Sequence, residues 1–93
     1  MREQYIEFKL RNAVKANGGL ALKFTSPGTV GVPDRIVLIP DGRVYFVELK
    51  APGKKTSAKQ RKMAAIFSFL GHKIRVIDSV QAVKEFINEI FPS

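Results

Sequence analysis

Ninety-three residues with 45% hydrophobic and 26% charged side chains have the composition of one folded domain and are too apolar for a disordered tail. With no Cys and a single His, His72, the chain offers no disulfide framework, no thiolate metal site, no cysteine nucleophile and no zinc cluster. Sixteen Lys and Arg against eight Asp and Glu give a formal charge of +8, which points to a polyanionic partner.

No run approaches the ~18 apolar residues of a membrane span, and Met1-Arg2-Glu3-Gln4 leads into an amphipathic pattern rather than a signal peptide. The expectation is a soluble, intracellular single domain over residues 1–93. Ile6, Leu10, Ala13 and Val14 recur at helical spacing, predicting a helix from residue 3 to about 16 that Asn17-Gly18-Gly19 ends. Leu20 to Thr25 is a strand candidate, and Ser26 to Pro33, with two Gly and two Pro, reads as a loop. Asp34 to Ile39 and Arg43 to Lys50 are β-branched and aromatic runs around Pro40-Asp41-Gly42, a hairpin signal. A basic loop from Ala51 to Lys55 precedes a helix opened by Ser57 and Gln60 in capping-box spacing and closed by Gly71. Lys73 to Ile77 is a last strand, and Asp78-Ser79 caps a terminal helix. The predicted fold is α/β, a small mixed sheet flanked by helices in the order α-β-β-β-α-β-α.

The acids locate the chemistry, because a carboxylate among apolar residues requires a proton, a partner or a metal. On a helical wheel Glu3 falls about 35° from the centre of the apolar face of the first helix and Glu7 about 75°, which predicts Glu3 inward and Glu7 flanking. Along 43–50, Val44, Phe46, Glu48 and Lys50 share one strand face, and Tyr45, Val47 and Leu49 the other. A two-residue Asp41-Gly42 turn would set Asp34 opposite Leu49. A three-residue turn sets Ile39 opposite Arg43 and Asp34 opposite Glu48, and Pro40 favours it. The second register puts two carboxylates about 5 Å apart at Cβ. They would repel, and a hard divalent ion such as Mg²⁺ or Mn²⁺ resolves the repulsion, its other positions going to water and phosphate. Lys50 on the same face is then placed to orient a metal-bound water or stabilise phosphate charge. Residues 51–75 hold seven cations and no acid, and Lys54, Lys55, Lys59, Arg61 and Lys62 are the expected backbone contacts.

Gly31-Val32-Pro33-Asp34, thirteen residues, Glu48-Leu49-Lys50, a basic loop and Gln60 together resemble the PD-(D/E)xK nuclease core, specifically the virus-type replication-repair nuclease (VRR-NUC) domain, over roughly residues 3–80. The resemblance implies a restriction-endonuclease-like core and a Mg²⁺- or Mn²⁺-dependent DNA endonuclease. Asp34 and Glu48 would be metal ligands with the Leu49 backbone carbonyl, Lys50 the catalytic lysine, and Gln60 the helix glutamine. Glu3 would be the acid of the first helix and a candidate further ligand, Glu7 fitting the same description loosely. Small stand-alone members look like junction resolvases, which implies a homodimer acting on branched duplexes such as four-way junctions, in the cytoplasm and of bacterial or phage origin. The rival reading is a non-catalytic basic nucleic-acid-binding module with Asp34, Glu48 and Lys50 as an ion-pair network. His72 reads as a surface residue, Met63, Ile66, Phe67, Phe69 and Leu70 as core or subunit interface, and Tyr5 and Phe8 as the first apolar residues to suspect at an interface.

Overall fold

The computed structural model describes residues 2–92. The chain runs α1 (Glu3–Ala16), β1 (Leu20–Lys23), β2 (Arg35–Leu38), β3 (Val44–Leu49), α2 (Ala58–Phe69), β4 (Ile74–Ile77) and α3 (Val80–Ile90), the predicted order with strand ends trimmed by one or two residues. One mixed sheet holds the strands as β1-β2-β3-β4. The first three form an antiparallel meander, and β4 joins β3 in parallel after the crossover through α2. No helix among the described residues is long and apolar enough to cross a membrane.

Alternation along the strands divides the sheet into two unequal faces. One carries Val37, Val47, Leu49 and Ile77, and packs against Ile6, Leu10 and Val14 of α1 and Val83, Phe86 and Ile90 of α3, all buried. The apolar spacing in α1 and α3 thus finds its counterpart, and the core lies wholly on this side. The other face carries Ile36, Phe46 and Glu48, and α2 crosses it. No residue of α2 is buried. Its aromatic contact is Phe67, which meets Phe46 edge-on at 5.1 Å, and His72, beyond the helix, meets the same ring at 5.6 Å. The expectation of a core role for Met63, Ile66, Phe67, Phe69 and Leu70 fails here, because one helix about 10 Å across cannot cover four strands spaced about 4.8 Å apart. Leu20, Leu22, Leu38 and Val44 stay exposed beside it, and Phe69 is 89% exposed.

The β2–β3 hairpin takes the three-residue turn. Arg35 pairs with Val47 and Leu38 with Val44, the Ile39 N–H donates to the Arg43 carbonyl at 3.2 Å, and Gly42 sits at φ +89°, the left-handed position such a loop requires. Extending this register sets Asp34 opposite Glu48. The pairing of β1 with β2 also continues past the strand ends, the Phe24 N–H donating to the Asp34 carbonyl at 2.8 Å.

Candidate active site

Glu48 is the penultimate residue of β3 and the one charged residue among the buried positions, 3% exposed. Lys50 follows the strand on the same face, and Asp34 immediately precedes β2 across the hairpin. The Asp34 carboxylate is held where it is: its Oδ2 accepts from the Leu49 N–H at 2.8 Å. Lys50 Nζ lies 3.6 Å from Glu48 Oε2. Glu48 Oε1 is buried and has no hydrogen-bond partner among the described residues. Burial, and after it the charge of Asp34, push the Glu48 carboxyl up to about 7, against the pull of Lys50.

Gln60 does two jobs at once. Ser57 and Gln60 form the capping box: the Gln60 N–H donates to Ser57 Oγ at 3.1 Å, and Gln60 Oε1 accepts from the Ser57 N–H at 2.8 Å. The other end of the amide, Nε2, donates to Glu48 Oε2. The residue that starts α2 is therefore also the one that ties α2 to the buried acid. A small cavity is lined in part by Gly31, Pro33, Glu48, Thr56, Gln60 and Arg61.

The loop before Asp34 is pressed onto the same helix turn. Gly31 has φ +93°, and a Cβ built there would fall 2.5 Å from the Lys59 carbonyl oxygen and 2.8 Å from its carbon. The contact is backbone against backbone, a close approach that only glycine allows.

Around this centre the basic residues spread outward. Lys54, Lys55, Lys59, Arg61 and Lys62 are all exposed and occupy the loop after Lys50 and the first turns of α2, where no acid stands in the first turn. Arg61 donates to the Thr56 carbonyl, which braces the loop without consuming its charge. His72 is exposed and touches the ring of Phe46, as a surface residue would.

Glu3 does not join the cluster. The wheel argument pointed it inward, yet it is exposed, while Ile6, Leu10 and Val14 form the buried stripe. The buried stripe alone centres even nearer to Glu3 on the wheel, about 20° away, so the angle does not account for its exposure; Glu3 stands in the first turn of α1, at the end of the helix. Glu7 is the α1 acid with a defined contact, its Oε1 lying 2.8 Å from Arg35. No group of three Asp, Glu, His or Cys side chains that could hold a metal is found among the described residues, so Asp34 and Glu48 stand as a pair.

That pair suits a hard cation. It offers two opposed carboxylates, one buried oxygen still free to accept, and no soft ligand, which matches the way Mg²⁺ takes one or two carboxylates and fills its other positions with water and phosphate.

Two outcomes follow for the metal-free protein. Gly31→Ala should cost on the order of 2 kcal/mol, lowering the melting temperature by roughly 10 °C in a calorimetric or circular-dichroism melt. Glu48→Gln should raise the melting temperature in EDTA at pH 8 and leave it nearly unchanged at pH 4.5. Between the ordinary value of 4.5 and about 7 folded Glu48 keeps a proton that the unfolded chain has released, so stability from this group falls as pH rises through that window. The amide removes the charge that is unwelcome above it.

No family model matches the sequence. The chain is 48% identical over 79 residues to "Putative nuclease p44" of Acyrthosiphon pisum secondary endosymbiont phage 1, a match covering 85% of each protein. A solved structure described as a VRR_NUC domain superposes with a TM-score of 0.87 at 28% identity, covering 96% of this chain and 97% of that one. The resemblance carried by the Gly-Val-Pro-Asp, Glu-Leu-Lys and Gln60 motifs and the α-β-β-β-α-β-α architecture thus has both a sequence relative and a structural counterpart, and the chain belongs to the VRR-NUC nuclease family.

Proposed function

We propose that this nuclease is a DNA endonuclease of the PD-(D/E)xK type, using Mg²⁺ or Mn²⁺ held by Asp34 and Glu48 with the Leu49 carbonyl, and acting as a homodimer on branched duplexes. The observation that carries the reading is the buried Glu48 carboxylate, set against Asp34 with one oxygen unpartnered. Once Glu48 is ionised, Lys50 alone leaves two carboxylates sharing one cation, so the ion-pair network of a non-catalytic binder would be a charge short.

A divalent ion bound here would supply Lewis-acid charge at the phosphate and lower the pKa of a water. The chain's own residues do the rest. Asp34 and Glu48 present hard oxygens from two adjacent strands, and the Leu49 N–H and Gln60 Nε2 fix their aim. Lys50 directs its ammonium to the same face, where charge develops on the phosphate oxygens as water attacks phosphorus and the P–O bond to the leaving oxygen breaks. Lys54, Lys55, Lys59, Arg61 and Lys62 line the approach and hold the flanking phosphates, assisted by the free N–H groups of the α2 N-terminus. Glu3 has no place in this arrangement. An intracellular, cytoplasmic setting suits a nuclease whose 48% identical relative is encoded by a phage.

The dimer reading rests on surface chemistry. Leu20 faces Leu38, Leu22 faces Ile36, and Leu38 faces Val44 across the ladder, so the bare part of the α2 face is a continuous uncharged patch. In a chain of charge +8, a second copy is opposed by repulsion everywhere except at such a patch, which can pair with itself about a twofold axis. Tyr5 and Phe8, stacked on each other at 6.5 Å, sit on α1 and are less extensive. Two protomers so joined would hold two active sites at the fixed separation that symmetric cutting of a junction needs.

Cleavage of labelled linear, flapped and four-way DNA with Mg²⁺, Mn²⁺ or EDTA tests the activity. Cutting should require metal, and Asp34→Ala, Glu48→Ala and Lys50→Ala should each lose at least about a hundredfold in rate, while Lys50→Ala keeps its DNA affinity. Undiminished cleavage in EDTA, or by Asp34→Ala, would remove the metal site. Light scattering at tens of micromolar should give a dimer that Leu22→Glu converts to a monomer without junction preference. A monomeric parent that cuts linear and four-way DNA equally would defeat the dimer reading alone.

A further inference from the structure

Arg35 lies on the core face of the sheet, in the register row Lys23, Arg35, Val47 and Arg75. It precedes Val37 by two residues and pairs with Val47, both fully buried, so its side chain lies on the α1 face and is only 12% exposed. A guanidinium cannot shed its charge and at such a position needs partners. Nη2 lies 2.8 Å from Glu7 Oε1, and Nη1 donates to the Ala21 carbonyl at 3.2 Å. Arg11, one turn further along α1, lies 3.6 Å from the same Glu7 oxygen. One side chain therefore joins α1, β1 and the first residue of β2.

The next residue back is Asp34. Successive side chains on an extended chain point to opposite faces, so a backbone that buries Arg35 against α1 turns Asp34 toward Glu48. We infer that the Glu7–Arg35 pair is a positioning device that sets the aim of the Asp34 carboxylate, and that Glu7, acting through Arg35, is the α1 acid on which the site depends. This inference rests on the reading of Asp34 as a metal ligand. A purely structural role would be met as well by an apolar side chain, since replacing a buried ion pair with a hydrophobic residue is often neutral for stability.

The test titrates Mn²⁺ calorimetrically into the full chain and its variants Arg35→Met, Glu7→Gln, Asp34→Ala and the exchange Glu7→Arg with Arg35→Glu, with thermal melts and cleavage kinetics in parallel. Arg35→Met and Glu7→Gln should melt within a few degrees of the parent, bind Mn²⁺ about tenfold more weakly, and lose kcat while the KM for DNA stays within about twofold. The exchanged pair should recover most of the lost affinity. Should Arg35→Met fail to fold, Glu7→Gln and the exchanged pair decide the matter. Parental Mn²⁺ affinity in Glu7→Gln, with Asp34→Ala deficient, overturns the inference and leaves the metal site standing. Loss of Mn²⁺ binding in Glu7→Gln that the exchange does not restore makes Glu7 a ligand and also overturns it. Parental binding by Asp34→Ala brings down the metal-site reading itself.

Discussion

Everything at the site depends on holding two carboxylates where they would not choose to be. Asp34 and Glu48 raise each other's energy, and burial raises it further, enough to push Glu48 up to about 7. Nothing local favours this. The arrangement persists because the register of β2 against β3 places them opposite each other, and the register is fixed by the turn at Gly42 and by the alternation that buries Val37 and Val47. A one-residue slip would send every side chain of the strand to the wrong face, so the core and the Asp34–Glu48 pair are specified by the same choice.

The two faces of the sheet divide the work. The α1 and α3 side is dry and close-packed, and carries the stability of the fold. The α2 side contributes no buried helix residue, and α2 is instead seated by the edge-on contact of Phe67 with Phe46, the Gln60 to Glu48 hydrogen bond and the backbone approach at Gly31. Two of these three contacts involve residues of the family motif. The glycine of Gly-Val-Pro-Asp lets the loop lie against α2, and the glutamine ties α2 to Glu48, so these motif residues build the platform that carries the acids.

The legible part of this was the part governed by short-range rules. Turn chemistry at Pro40-Asp41-Gly42 selects the register, capping spacing opens α2 at Ser57, and strand alternation puts Phe46, Glu48 and Lys50 on one face. Gln60 looked like either a cap or a motif residue, and its amide has two ends, so it is both. What could not be read depended on distances between elements. Glu3 points inward on a wheel, but a wheel does not say where the helix sits on the sheet. Arg35 looked like one cation among sixteen until its face was known, although its alternation with Val37 was a signal that a charge lay on the buried side. The bare patch of Leu20, Leu22, Leu38 and Val44 likewise needed the sheet order, because only then is it clear that a single helix must cover four strands.

Placement also explains how a chain of charge +8 can carry its acids without repelling its substrate. Three of the eight stand in ion pairs away from the site: Asp41 with Arg43, Glu89 with Arg75 and Glu7 with Arg35. Pairing removes their field from an approaching polyanion, while Lys54, Lys55, Lys59 and Lys62 remain exposed to attract it. Asp34 and Glu48 stand together against one lysine, Lys50, next to that basic rim. The local excess of negative charge at that spot is one that a phosphate would approach only alongside a cation. Under the proposed function, an anionic backbone steered by the rim would meet there a pair of acids that takes a divalent partner before the phosphate, so attraction and chemistry would be set by different charges at neighbouring places.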